Sequence, residues 1–181
     1  MKKYNPAGEE DDPVMTLTSP AFEFSEQIPK IHTGDGEDCS PALRWANAPA
    51  ATKSFALIMD DPDAPVGTWV HWVLYDLPAT QTDMPQGVPK TDDGPGGSKH
   101  GVCWGVDQFE RVGYYGPLPP PGKPHRYFFK LYALDKVLGL KPRATKAQVL
   151  ASFSGHVIME AGLTGTYQRD SIRKELGENR L

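Results

Sequence analysis

Carboxylate, imidazole and phenol side chains occur in three stretches of the chain that together suit an anion. These side chains belong to Asp61, Asp63, His71, His125 and Tyr127. A carboxylate next to a histidine orients the ring and favours its charged form. Two imidazoles and a tyrosine hydroxyl can then donate hydrogen bonds to a tetrahedral anion. The residue types therefore predict a pocket for a small anionic group of the phosphate type.

The two histidines are expected to supply most of the positive charge of this pocket. Arg126 is next to His125, but alternation along a strand turns the two side chains to opposite faces and places Tyr127 with His125. A histidine with an ordinary pKa of about 6.5 loses its charge near neutrality. Affinity for a phosphate-like anion is therefore expected to fall as the pH rises from about 6 to about 8.

Each stretch also has a simpler structural interpretation. The sequence DPDAP at 61–65 has the composition of an ordinary turn. His71, inside an apolar run, is also explained as a hydrogen-bonded histidine of the core. His125 is also explained as a surface residue with Tyr127 packed beneath it. The binding hypothesis depends on the three stretches meeting at one place.

A hydrolase is an alternative, because paired aspartate and histidine side chains can act as general acid and base. The chain contains no G-x-S-x-G, H-E-x-x-H or P-loop motif. The spacing of His71 and His125 matches no metal-binding signature. We therefore expect binding without catalysis, and no metal ion or other cofactor.

Three apolar runs are expected to position these residues. They are Ser54–Met59, Trp69–Leu77 and Arg126–Leu134, and their lengths and compositions favour buried strands of one sheet. A hairpin between the first two would bring Asp61 close to His71. The two prolines of the 61–65 loop lead us to expect one cis X–Pro bond there.

Other segments complete a mainly β domain over residues 14–169. Shorter strands are predicted at 14–18, 42–45 and 163–167, and helical pieces at 145–151 and 155–161. The segment 79–124 is rich in glycine and proline, which predicts irregular structure. The polar ends, 1–13 and 170–181, are interpreted as flexible tails.

Composition limits the class of partner. The net charge is −4 and the pI about 5.7, which argues against binding to nucleic acid. No apolar stretch has the length of a membrane span or follows the N-terminus as a secretory signal would. Two cysteines, Cys39 and Cys103, without a signal sequence suit a reducing cytoplasm.

The motifs together resemble the phosphatidylethanolamine-binding protein family, in its bacterial and archaeal Raf kinase inhibitor-like branch. The resemblance covers roughly residues 14–169. It is carried by DCSPALRW at 38–45, DPDAP at 61–65, His71-Trp72, GPLPPPGKPHRY at 116–127, and GHV at 155–157 with GTY at 165–167.

This resemblance implies an antiparallel, Greek-key β-fold of two sheets with one or two short peripheral helices. It implies a pocket for phosphate, acetate or phosphorylethanolamine, built from Asp61, Asp63, His71, His125 and Tyr127, with Pro65 and Pro119 in its wall. Leu118 stands where animal members carry a glycine whose amide contacts the anion. The resemblance also implies a regulatory or inhibitor-like role, with a kinase or protease as candidate partner and a homodimer as candidate assembly.

Overall fold

The structure is a computed structural model, and it describes residues 13–170. Within that range, in chain order, the elements are β1 (Thr16–Thr18), β2 (Leu43–Ala46), β3 (Ser54–Asp61), β4 (Trp69–Pro78), β5 (Asp83–Met84), β6 (Lys99–His100), β7 (Val102–Cys103), β8 (Arg111–Val112), β9 (His125–Leu134), α1 (Lys146–Phe153) and β10 (Val157–Tyr167). The predicted tails lie outside the described residues except for Pro13 and Asp170, so their flexibility stays a prediction.

Five antiparallel strands form the central sheet, in the order β10-β9-β3-β4-β6. The three apolar runs are β3, β4 and β9, so the prediction that they share one sheet is confirmed. Every residue of β3 is buried, as expected for a strand covered on both faces. Asp61 at the end of β3 pairs with Trp69 at the beginning of β4, which confirms the predicted hairpin.

A smaller sheet, in the order β1-β2-β5, packs its apolar side chains together with one face of the central sheet. Leu17 and Trp45 from the small sheet share a buried cluster with Leu57 and Phe129 from the large one. Burial of this apolar surface is the main driving force for the packing. The predicted fold class, a mainly β fold of antiparallel sheets with a short peripheral helix, is confirmed, and β7 and β8 form a third, two-stranded antiparallel sheet that the prediction of two sheets did not include.

The opposite face of the central sheet is covered by α1. Val149 and Phe153 of the helix join the buried cluster that contains Val73 of β4. The hydroxyl of Thr145 accepts a hydrogen bond from the backbone amide of Gln148, and the side-chain oxygen of Gln148 accepts one from the backbone amide of Thr145. This capping box satisfies two amides at the start of the helix and explains its position. The helix predicted at 145–151 is confirmed.

The helical piece predicted at 155–161 is wrong, because most of those residues form the start of β10. Gly155, with φ of 79°, lies in the turn that reverses the chain after α1. Strand β10 then pairs with β9 from Val157 to Tyr167. The ladder of interstrand hydrogen bonds with β9, which is irregular between Val157 and Met159, outweighs the weak local preference for helix.

The segment 79–124 is irregular, as predicted, apart from four two-residue strands and a short 3-10 turn at Pro95–Gly97. It is nevertheless bonded to the central sheet. The amide of Trp104 donates to the carbonyl of Val70, and the amide of Val70 donates to the carbonyl of Gly105. These bonds bring Trp104 to the end of the sheet that carries His71. No helix within residues 13–170 has the length and apolarity needed to cross a membrane.

Candidate functional site

Three strand ends meet at one edge of the central sheet. Asp61 ends β3, His71 is near the beginning of β4, and His125 begins β9. Because both neighbours of β3 are antiparallel to it, its end lies beside their beginnings. A cleft of about 320 Å³ opens at this edge. Its lining comprises Asp61, Ala64, Pro65, Val66, Trp69, His71, Trp104, Leu118, Pro119, Pro120, His125 and Tyr127.

The Asp61 carboxylate is buried and holds His125 in place. One of its oxygens accepts a hydrogen bond from Nδ1 of His125, at 2.7 Å. The other accepts from the backbone amide of Asp63, at 2.8 Å. A carboxylate can only accept in its charged form, so Nδ1 of His125 carries a hydrogen. The pair thereby fixes the ring of His125 and leaves its Nε2 as the atom available to a ligand.

His71 is held in a different way. Its Nδ1 donates to the backbone carbonyl of Tyr115, at 2.6 Å. Its ring meets the rings of Trp104 and Tyr127 edge to face, at centroid distances of 5.6 and 5.2 Å. Burial lowers the pKa of His71, although the hydrogen bond to Tyr115 and the charge of Asp61 act in the other direction. His71 is therefore neutral near pH 7, contrary to the expectation that both histidines supply charge.

Tyr127 lines the cleft, and its hydroxyl is buried. Its side chain is fully buried, and the hydroxyl has no hydrogen-bond partner of good geometry among the described residues. Burial and then the negative charge of Asp61 raise the pKa of Tyr127 far above its usual value. The hydroxyl therefore keeps its proton, and its contact with the Asp61 carboxylate falls short of good hydrogen-bond geometry, which is an uncommon state for a buried polar group.

Asp63 is not among the lining residues. Its carboxylate binds Arg126 through three contacts: the backbone amide at 2.9 Å, Nε at 2.9 Å and Nη2 at 2.8 Å. These hydrogen bonds lower the pKa of Asp63 to about 2. The structure thus places Asp63 as a clamp that joins the 61–65 loop to β9, while Arg126 points away from the cleft as strand alternation predicts.

Aromatic and proline side chains form the walls. Pro65 and Pro119 both line the cleft, at the positions predicted for them. Trp104 was not predicted, because it lies in a glycine-rich segment without a periodic pattern. Its φ is 68°, an unusual value for a bulky residue. The guanidinium of Arg111 stacks 4.5 Å from the centre of the Trp104 ring and supports it from behind.

Two further residues, which were not among the predicted site residues, position the site from outside the three strands. Tyr115 supplies the carbonyl that holds His71. The carboxylate of Asp38 accepts from the amide of Gly116, at 2.7 Å, and pairs with Lys90. The ammonium of Lys90 in turn lies 3.8 Å above the Tyr115 ring. Asp38 belongs to the DCSPALRW stretch, which was the available signal for it.

The expected cis bond in the 61–65 loop is wrong, since no peptide bond within residues 13–170 is cis. The chain reverses instead through the hydrogen bond from the Asp63 amide to Asp61 and through Gly67, with φ of 117°. Glycine accepts such a φ at little cost. Among the described residues, no three His, Cys, Asp or Glu side chains are grouped so as to hold a metal ion.

Comparison with known proteins places the chain in a family. Residues 18–168 match the family model described as phosphatidylethanolamine-binding protein. A UPF0098 protein of Aquifex aeolicus (strain VF5) is 44% identical over 159 residues, which cover 87% of this chain and 90% of the relative. A UPF0098 protein of Methanothermobacter thermautotrophicus is 46% identical over 155 residues, which cover 86% and 99%.

Two solved structures have the same fold. One is a putative phosphatidylethanolamine-binding protein homolog of Chlamydia trachomatis, with a TM-score of 0.77 and 36% identity, covering 87% of this chain and 99% of that one. The other is YbcL of E. coli, described as a member of the mammalian PEBP family, with a TM-score of 0.77 and 32% identity, covering 87% and 100%. The chain belongs to the phosphatidylethanolamine-binding protein family, and these bacterial and archaeal relatives agree with the branch that its motifs resemble.

Proposed function

We propose that the cleft binds a small anion of the phosphate type, such as the phosphorylethanolamine group, without changing it chemically. The observation that carries this proposal is the buried Tyr127 hydroxyl, which has no hydrogen-bond partner of good geometry among the described residues and shares the cleft with His125, which Asp61 holds. An unpaired buried donor costs free energy, which a ligand oxygen would recover. Membership in a family named for binding phosphatidylethanolamine supports the same class of ligand.

No lysine or arginine belongs to the lining of the cleft, so the proposed donors to the anion are a tyrosine and a histidine side chain. The hydroxyl of Tyr127 donates one hydrogen bond. Nε2 of His125 donates a second when it carries a hydrogen, while Nδ1 stays hydrogen-bonded to Asp61. Affinity therefore depends on hydrogen bonds inside the cleft rather than on attraction from the whole protein, which is acidic.

The lining supports binding rather than hydrolysis. It contains no serine, threonine, cysteine or lysine that could act as a nucleophile. The apolar walls, with Trp69 and Trp104, suit the organic part of a phosphate ester. We propose that such binding serves a regulatory or inhibitor-like role in the cytoplasm.

Calorimetric titration with phosphorylethanolamine tests the proposal. We expect His125→Ala to weaken binding by about 1.5–3 kcal/mol, the range for a hydrogen bond to a charged group. His156→Ala is the matched control, since His156 also bonds an aspartate through Nδ1, at 2.7 Å from Asp135, but lies outside the cleft lining. Equal affinities of native protein and His125→Ala would contradict the proposal.

A further inference from the structure

The hydrogen-bonding character of His71 follows from its geometry. Nδ1 lies 2.6 Å from the carbonyl oxygen of Tyr115, and a carbonyl oxygen can only accept. Nδ1 therefore carries the hydrogen. In the neutral ring, the other nitrogen, Nε2, then has a lone pair and acts as an acceptor. Nε2 makes no hydrogen bond to any described residue, and His71 lines the cleft.

The surroundings of His71 keep the ring neutral. Only 3% of its surface is exposed, and aromatic rings of Trp104 and Tyr127 border it. Burial opposes a second proton more strongly than nearby charges favour one, so the pKa of His71 is lowered. The carboxylates that favour the proton are Asp61, Asp38 and Asp60. The cleft therefore presents a neutral acceptor at His71 beside the donors at Tyr127 and His125.

A bound group must satisfy both kinds of partner. Its oxygens must accept from Tyr127 and His125, and it must also offer one hydrogen to Nε2 of His71. An alkyl hydrogen phosphate has that hydrogen, because its second pKa is near 6. An alkyl sulfate has the same tetrahedral shape and the same single negative charge but no hydrogen. In the sulfate complex, an anionic oxygen would face the lone pair of His71.

We propose that the cleft selects hydrogen phosphate esters over sulfate esters, because Nε2 of His71 accepts the hydrogen of the P–OH group. This inference rests on the proposed function and assigns His71 the role of a specificity-determining residue. It makes the protonation state of the ligand, as well as its charge, a condition for binding. Leaving one buried polar contact unsatisfied corresponds to roughly tenfold or greater selectivity.

The test is calorimetric titration of the native protein with ethyl phosphate and with ethyl sulfate at pH 6. We expect ethyl phosphate to bind at least about tenfold more tightly. Equal affinity for the two ligands would overturn the inference and leave the proposed function standing. Failure of both ligands to bind would overturn the proposed function as well.

A second measurement counts protons and needs no variant. At pH 8, titrations in buffers of different ionisation enthalpy report how many protons each complex takes up. Protons that both complexes take up alike cancel in the difference, which isolates the contact at His71. We expect ethyl phosphate to take up about one proton more than ethyl sulfate. An equal uptake by the two complexes would contradict the proposed contact.

A variant separates His71 from the rest of the cleft. His71→Asn keeps an N–H group close to the Tyr115 carbonyl and removes the Nε2 acceptor. We expect it to lower affinity for ethyl phosphate and to leave affinity for ethyl sulfate unchanged or higher, so that the selectivity disappears. His156→Asn, outside the cleft lining, is the control and should keep the native selectivity. Retention of full selectivity by His71→Asn would overturn the inference.

Discussion

Two buried tyrosine hydroxyls in this protein differ in their hydrogen bonding. The hydroxyl of Tyr114 donates to the carbonyl of His32, at 2.6 Å, whereas that of Tyr127 has no partner among the described residues. A satisfied buried hydroxyl contributes to stability, and an unsatisfied one detracts from it. The Tyr127 hydroxyl therefore lowers the stability of the folded protein at the position where a ligand oxygen would bind.

This contrast leads to a prediction for matched variants. Tyr127→Phe should weaken phosphorylethanolamine binding by about 1.5–3 kcal/mol while leaving the free energy of unfolding unchanged or slightly higher. Tyr114→Phe should do the reverse, with lower stability and nearly native affinity. Calorimetric titration and urea unfolding measure the two quantities. A loss of stability in Tyr127→Phe, equal to that in Tyr114→Phe, would show that its hydroxyl is bonded within the protein.

At the scale of the elements, the 61–65 loop depends on its clamp to β9. Asp63 binds both the backbone and the side chain of Arg126, and the same loop carries Asp61. A loosened loop would let the carboxylate of Asp61 move away from His125. The clamp therefore affects the cleft without contacting a ligand.

Asp63→Asn should cause a several-fold loss of affinity for phosphorylethanolamine and a small loss of stability. The pKa of Asp63 is lowered from its ordinary 3.8 to about 2. Its stabilising effect is therefore complete above about pH 4 and is lost as the pH falls through about 2. Acid unfolding of the native protein should show this step, and Asp63→Asn should lack it. Asp93→Asn, which breaks an exposed pair with Lys99, is the control and should keep native affinity.

The elements differ in how far the sequence could predict them. The continuous apolar runs of β3, β4 and β9 identified the central sheet, because burial on both faces leaves a clear pattern. The start of β10 could not be recognised, since pairing with β9 outweighs its local preference. Asp61, His71, His125 and Tyr127 were predicted because they stand at strand ends. Trp104 and Tyr115 were missed because the irregular segment has no periodicity from which to infer proximity.

At the scale of the whole molecule, buried histidines make stability depend on pH. Burial lowers the pKa of both His71 and His100. The unfolded chain binds protons at these positions near pH 6.5, and the folded protein does so only at lower pH. Protonation therefore favours unfolding, so their contribution to stability is complete above about pH 6.5 and is lost as the pH falls below it.

We therefore expect the free energy of unfolding to decrease from pH 7 to pH 5. The slope approaches about 1.4 kcal/mol per pH unit for each of the two histidines. Urea unfolding at several pH values measures it. His100→Asn, which keeps an N–H group near the carbonyl of Thr91, should show a shallower slope. The control is His156→Asn, which removes a partly exposed histidine bonded to Asp135, so a shallower slope confined to His100→Asn assigns the effect to burial. A flat native profile between pH 7 and pH 5 would contradict this account.

The strand order of the central sheet also bears on how the protein is made. Asp61 and His125 are neighbours in space but lie 64 positions apart in the chain. During synthesis, β3 and β4 leave the ribosome before β9. Until β9 pairs with β3, the unpaired edge of β3 is open to pairing with other chains. Contacts between distant parts of a chain also form slowly. A shortened chain that ends before β9 would consequently contain the DPDAP loop and His71 yet have no binding cleft, and its exposed β3 edge would favour aggregation.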